Sequence, residues 1–231
     1  LRAVKGEDEL EKIRRAAAIT NEAYERIAEE RFVGRTEREL AWRIRELFHE
    51  HGSSELALDM IVAAGENGAS PHAETRDVAI EAGTLVTIDA GCKIDAYNSD
   101  CTRTYATGDL PDELARAYEV CLEAQLAGLE AIGPGVTGAD ADRGGRAVIE
   151  DGGWGEEFGH GLGHGIGLEV HEAPAVRPES TDTLEPGNVV SDEPGIYIPG
   201  LGGVRIEDMV LVTDGGRERL TNAGKDLVTV R

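Results

Sequence analysis

The chain has 231 residues, enough for a sizeable core in one or two domains, and its 45 acidic against 23 basic residues leave a net charge of −22. That balance excludes the basic patches that phosphate backbones require, so nucleic acid is not an expected partner. No run approaches the ~20 apolar residues of a membrane span, and no signal-peptide pattern opens the chain. Three cysteines without a Cys-x-x-Cys pair fit a reducing cytoplasm better than a disulfide framework or a thiolate zinc site. The acidic excess reads mostly as a solvated surface, and more sharply as adaptation to high salt, where self-repulsion is screened.

In chain order, residues 7–31 predict an amphipathic helix with Leu10, Ile13, Ala17 and Ile27 near one face. Thr36 caps a second helix running to about residue 51, with Glu39 in capping-box position. Strand-like runs follow at 58–65, 84–91 and 96–106. A third helix spans 112–132, begun by Pro111, and a fourth spans 139–151. Strands return at 159–171, 188–198 and 202–212. Helices followed by strands, twice over, predict an α+β fold of two related halves.

The segment GHGLGHGIGLEVHE, residues 159–172, carries three of the six histidines. His160 and His164 stand four apart, as two ligands on a zinc-binding helix would. Five glycines cost such a helix about 5 kcal/mol, and the glutamate of a His-Glu-x-x-His helix is missing. In an extended segment His160, Leu162, His164 and Ile166 would share a face, and the alternate glycines would admit close backbone approach.

Four acids occupy unfavourable places. Asp89 lies in the apolar run TLVTIDAG, and Asp100 eleven residues on, at hairpin spacing. Glu193 precedes a proline, and Glu207 interrupts GVRIEDMVLV. Carboxylates at strand positions are rarely buried unless paired or metal-bound. Four carboxylates and one neutral histidine sum to about −4, which two divalent cations neutralise. An oxygen-rich donor set favours Mn²⁺, Co²⁺ or Fe²⁺ over a structural zinc. Two such ions about 3.5–4 Å apart can hold a nucleophilic hydroxide between them.

The segments IDAGCKIDAYNSDCTRT (88–104), GHGLGHGIGLEVHEAP (159–174), DEPGIYIPG (192–200) and GGVRIEDMVLVT (202–213) together resemble the pita-bread metallopeptidases. That group includes methionine aminopeptidases, aminopeptidase P and prolidase. The 14 positions from Glu193 to Glu207 and the GVRIEDM context resemble its proline-peptidase branch. The resemblance implies the pita-bread (creatinase/aminopeptidase) α+β fold, a curved antiparallel sheet flanked by helices. It implies metal ligands at Asp89, Asp100, His164, Glu193 and Glu207. It also implies two divalent ions, Mn²⁺ in first place and Co²⁺, Fe²⁺ or Zn²⁺ as alternatives. His72, His171 and Glu193 then match catalytic positions. His72, His160 and His171 match substrate-contacting ones, and Arg205 a residue that supports the ligands. Independently, the period of two puts Arg205 and Glu207 on one strand face and predicts an arginine–carboxylate contact.

Other polar residues read as structural. His49 and His51 close a helix, Cys92 and Cys101 point away from the neighbouring aspartates, and Glu169 and Glu172 are surface acids or acids behind the site. Tyr97 and Tyr197 could line the pocket, with core packing the favoured reading.

The expected activity is metal-dependent removal of the residue before proline, as an Xaa-Pro aminopeptidase or Xaa-Pro dipeptidase. Its partner is a peptide with proline second, with no nucleic acid or membrane, in the cytoplasm. The alternatives are an amidohydrolase of a small solute on the same fold, of ectoine-hydrolase type, and a non-catalytic peptide-binding module. Residues 1–231 are expected to form one catalytic domain, with the family's usual amino-terminal domain absent from this chain, and a homodimer is the assembly the resemblance allows.

Overall fold

The computed structural model describes residues 2–53 and 55–231. Two helices open the chain, α1 (Glu7–Ile27) and α2 (Glu37–Glu50). Glu7, Asp8 and Glu9 in the first turn of α1 complement the positive end of its dipole. The helix stops four residues short of the predicted end. There the amides of Glu29 and Glu30 turn to carbonyls only three residues back, and the Glu30 carboxylate is drawn to Arg35 and Arg43. The capping box of α2 forms as predicted: Thr36 Oγ1 accepts from the Glu39 amide (3.2 Å) and Glu39 Oε2 from the Thr36 amide (2.8 Å).

Strands β1 (Glu55–Leu56), β2 (Ile61–Ala64), β3 (Leu85–Asp89), β4 (Cys92–Ile94), β5 (Tyr97–Asn98) and β6 (Thr102–Ala106) complete the first half. The second half repeats the order. Helices α3 (Asp112–Ala131) and α4 (Gly138–Asp151) precede β7 (Gly163–Gly165), β8 (Glu172–Val176) and β9 (Val189–Asp192). Then come β10 (Gly195–Ile198), β11 (Gly202–Arg205), β12 (Asp208–Thr213) and β13 (Gly216–Arg219). The sheets run β2-β3-β6, β1-β4-β5, β10-β11 and β13-β12-β9-β7-β8. Every pairing between these strands is antiparallel.

Each helix pair covers its own core. Leu40, Ile44, Leu47 and Phe48 of α2 pack with Val62, Val86 and Ile88. Leu114, Tyr118 and Ile149 of α3 and α4 pack with Val190, Val204 and Val210. Between the halves lies a seam that is apolar where Leu10, Ile13 and Ala17 of α1 meet Val189, Met209 and Leu211, and polar near the strand breaks. The Glu207 amide donates to the Thr102 carbonyl (3.1 Å), and Thr104 Oγ1 donates to the Arg205 carbonyl (2.9 Å). Among the described residues no helix is long and apolar enough to cross a membrane.

Three predicted strands are each two. The run 96–106 breaks at Ser99–Cys101, 188–198 at Glu193–Pro194, and 202–212 at Ile206–Glu207. Pro194 has no amide hydrogen and cannot continue a ladder. The break lets β9 and β10 join different sheets, as the break at Ile206–Glu207 does for β11 and β12. The predicted strand 159–171 is corrected more heavily, because only Gly163–Gly165 is paired there, with a register shift between His164 and Gly165. The shift and the bend at Leu162 break the period of two. Leu162 and Ile166 therefore sink into two different cores instead of sharing a face with His160 and His164.

Candidate active site and metal centre

The breaks place the acids. Asp100, Glu193 and Glu207 sit in the gaps between strands, and Asp89 is the last residue of β3. At such corners a side chain leaves the alternation of the sheet and turns toward the seam. All nine residues singled out from the sequence, His72, Asp89, Asp100, His160, His164, His171, Glu193, Arg205 and Glu207, line one cavity of about 430 Å³. The glycines of the histidine segment act as close-approach points. A Cβ at Gly163 would strike the Ser191 carbonyl, and one at Gly165 the Ala173 carbonyl, whereas Gly159 faces open space.

At the centre, ligand atoms of Asp100, His164 and Glu207 lie within 4.8 Å of one another. His164 Nδ1 faces its neighbour's carbonyl (3.1 Å to Gly165), which leaves Nε2 toward Glu193 Oε1 (3.0 Å) and Asp100 Oδ2 (3.8 Å). Ser191 holds both partners: its hydroxyl donates to Glu193 Oε1 (2.9 Å) and accepts the His164 amide (3.0 Å). Thr102 Oγ1 donates to Glu207 Oε2 (2.7 Å) and accepts from Arg205 Nε (3.2 Å).

The predicted contact between Arg205 and Glu207 is corrected. The β11 strand ends at Arg205, so the guanidinium reaches Asp89 instead, Nη2 to Oδ2 at 2.7 Å, and meets Glu207 only through Thr102. Arg205 Nη1 also donates to the Tyr197 hydroxyl (2.9 Å), which lies 2.9 Å from His160 Nε2. His160 Nδ1 is 2.8 Å from the Gly161 carbonyl. With Nδ1 protonated, donors and acceptors run in one direction: Arg205 to Tyr197 to His160 to Gly161. Both ring nitrogens of His160 are thereby engaged, and it offers the cavity its ring surface. Tyr197 is buried as predicted, yet it links two site residues and is not mere packing.

The charges are badly matched without a cation. Burial, then Glu207, Asp89 and Glu193, push the Asp100 carboxyl well above its ordinary range. Burial, followed by Glu193 and Asp89, does the same to Glu207. Burial opposes a charged His164, yet Glu193 and Glu207 outweigh it and lift the imidazole to about 9. The same pairing overrides burial at Glu193 and holds its carboxyl low. Burial lowers His171, aided by the charge on His164, and burial lowers His160. Asp89 Oδ1, Asp100 Oδ1 and Glu207 Oε1 are buried without any hydrogen-bond partner among the described residues. Orphaned carboxylate oxygens beside an imidazole nitrogen are the donor set that divalent cations satisfy.

Three functional neighbours escaped the sequence reading, which takes Tyr197 chiefly as core. Ser191, Thr102 and Tyr197 are ordinary strand residues in sequence, and only pairing across the seam reveals their partners. Arg177, past the end of β8, lines the cavity and has no side-chain hydrogen bond or ion pair among the described residues. No motif drew attention to it.

An α+β scaffold that brings a carboxylate and histidine cluster to a cleft between its halves is the frame of a metallopeptidase. The chain belongs to metallopeptidase family M24, which it matches over residues 11–214. It is 42% identical over 228 residues to the Xaa-Pro dipeptidase of Pyrococcus furiosus, covering 99% of this chain and 66% of that protein. The chain thus spans about two thirds of the length of this curated relative. The solved Xaa-Pro dipeptidase of Bacillus anthracis superposes with a TM-score of 0.97 at 43% identity, covering 99% of this chain and 64% of that one. The X-Pro aminopeptidase of Thermotoga maritima gives 0.95 at 38%, covering 99% and 65%. The architecture is the pita-bread fold that the motifs implied.

Proposed function

We propose that this chain carries the catalytic centre of a peptidase that cuts the bond between an amino-terminal residue and proline, with Xaa-Pro dipeptides as substrates. The observation that carries the reading is the cluster of orphaned carboxylate oxygens around His164, set in a chain whose relatives are named for Xaa-Pro cleavage. Asp89, Asp100, His164, Glu193 and Glu207 hold two divalent ions, of which Mn²⁺ suits the oxygen-rich set best. When bound, such ions supply a nucleophile at neutral pH and polarise the scissile carbonyl.

The remaining work falls to side chains. Hydrolysis turns a tertiary amide nitrogen into a secondary amine, so a proton must reach the proline nitrogen. Glu193, which lines the cavity with one oxygen held by Ser191 and His164, serves that transfer. His72, at the rim, assists it. His171, its ring centroid 4.1 Å from that of His164, supports the carbonyl oxygen as charge develops. His160 offers a ring surface on which the proline packs. Arg205 holds Asp89 in place, and Arg177 is the cation available to the free carboxylate of a dipeptide.

The test is hydrolysis of Ala-Pro and Ala-Pro-Pro after loading with Mn²⁺, Co²⁺ or Zn²⁺ at low and high salt. Cleavage of Ala-Pro, weakened by Arg177→Ala through KM, is the expected result. No cleavage of either peptide with any ion refutes the reading. Cleavage of Ala-Pro-Pro alone would make the chain an aminopeptidase instead.

A further inference from the structure

His171 stands at the end of an irregular stretch, Gly167–His171, whose backbone belongs to no strand or helix. Its side chain is exposed, and among the described residues its one aromatic neighbour is the ring of His164. Core packing therefore does not fix the ring. Its position rests on how this turn is fastened.

The fastening converges on the next residue. Glu172 Oε1 accepts from Lys5 Nζ (2.8 Å), and Oε2 accepts from Arg2 Nη2 (2.7 Å) and from the Glu169 amide of the same turn (3.3 Å). The Lys5 side chain is only 1% exposed and that of Glu172 only 9%, so the pair is buried at the base of the turn. Gly167 packs directly on it, because a Cβ there would fall 2.6 Å from Glu172 Oε1 and 2.9 Å from Lys5 Cε. Lys5 is itself held. Its amide donates to the Gly187 carbonyl (2.8 Å), and Asn188 Nδ2 donates to the Ala3 carbonyl (2.9 Å). Asn98 grips the other end of the turn, donating through its amide and its Nδ2 to the Gly167 carbonyl, both at 2.9 Å.

A buried ion pair is a poor source of net stability, since apolar residues of similar size often do as well. Its benefit is fixed geometry. We propose that Glu172, clamped by Lys5, is a positioning residue that aims His171 into the cavity and acts on the reaction only through that imidazole. The sequence reading placed Glu172 among surface acids or acids behind the site, and its buried pairing with Lys5 supports the second. The catalytic part of the inference rests on the role given to His171 above.

The test uses Glu172→Gln, which keeps the shape and removes the charge, and Lys5→Met, which keeps the stem. Amide hydrogen exchange, read on the protein without substrate, should accelerate at least tenfold over residues 167–171 in both variants and stay unchanged in β3. On Ala-Pro, kcat should fall about tenfold with KM and bound metal retained, as a displacement near 1 Å at a reacting group allows. In a His171→Ala background, Glu172→Gln should lower kcat no further. Unchanged exchange in both variants overturns the proposal, as does an equal fall in kcat in both backgrounds. If the wild type cleaves no Xaa-Pro peptide, the functional reading fails, and the exchange experiment still decides whether the clamp holds the His171 turn.

Discussion

Thr102→Val removes one hydroxyl and keeps the side-chain shape. Thr102 is fully buried, and its Oγ1 both orients Glu207 (2.7 Å) and accepts from Arg205 Nε (3.2 Å). A neutral hydrogen bond contributes about 0.5–1.5 kcal/mol and one to a charged group about 1.5–3 kcal/mol, and burial pushes the metal-free Glu207 carboxyl toward its neutral form. Arg205 keeps Asp89, Tyr197 and the Pro71 carbonyl, so its own loss is the smaller of the two. The metal-free protein should lose about 2 kcal/mol, and Tm should fall about 4–8 °C for a domain of this size. Freed from its donor, Glu207 no longer presents a fixed oxygen, and metal affinity should fall about 10–100-fold. Chelator competition with Mn²⁺ measures the affinity, and calorimetric melting in EDTA the stability. Thr87→Val is the control, since that buried hydroxyl bonds to Thr104 and the Gly203 carbonyl and to no site carboxylate. It should lower Tm and leave affinity unchanged. Wild-type metal affinity in Thr102→Val, or an equal loss in Thr87→Val, would refute the reasoning.

Protonation gives a second handle. Asp100 and Glu207 are held above the ordinary carboxylate range and His164 at about 9, so at neutral pH the metal-free cluster carries protons that a cation must displace. Metal loading should release protons at pH 7, and apparent affinity should rise with pH. Calorimetry in buffers of different ionisation enthalpy reads this, and no net release would contradict it. The sign for stability follows from linkage: carboxyls with raised folded values stabilise less as pH rises through those values. His164, raised from 6.5 to about 9, likewise loses its share of stability across that interval, so the gap in Tm between loaded and metal-free protein should widen from pH 6.5 to 9. A third prediction concerns backbone approach. Gly163→Ala drives a methyl into the Ser191 carbonyl and should cost about 1–3 kcal/mol, while Gly159→Ala, in open space, should stay within about 0.5 kcal/mol. Equal melting temperatures for the two variants would remove close approach as the reason for glycine at 163.

Much of this was legible because the signals were local. Thr36 and Glu39 cap α2 by contacts three residues apart, and the four acids stood out against apolar neighbours. What sequence periodicity could not show is where a strand stops. Reading 202–212 as one strand put Arg205 and Glu207 on one face, and the break at Ile206 sends the guanidinium to Asp89, 116 residues earlier. Reading 159–171 as one strand put Leu162 beside His164, and the bend at Leu162 buries it under α3 and α4 instead. Tyr197 looked like core because burial and function coincide there. Its hydroxyl gains meaning only from His160 and Arg205, brought together by folding.

The carboxylates at the strand breaks come from both halves: Asp89 and Asp100 from the first, Glu193 and Glu207, with His164, from the second. Neither half alone brings the whole donor set together. A cation that engages all five residues draws across a seam already held by the apolar cluster of α1 with Val189, Met209 and Leu211, so part of its binding energy adds to the docking of one half against the other. If the chain were cut at the loop before α3 and the pieces mixed, uptake of the ion would count the reassembled pairs. The site then doubles as a sensor of its own completion, responding only when the whole chain has come together.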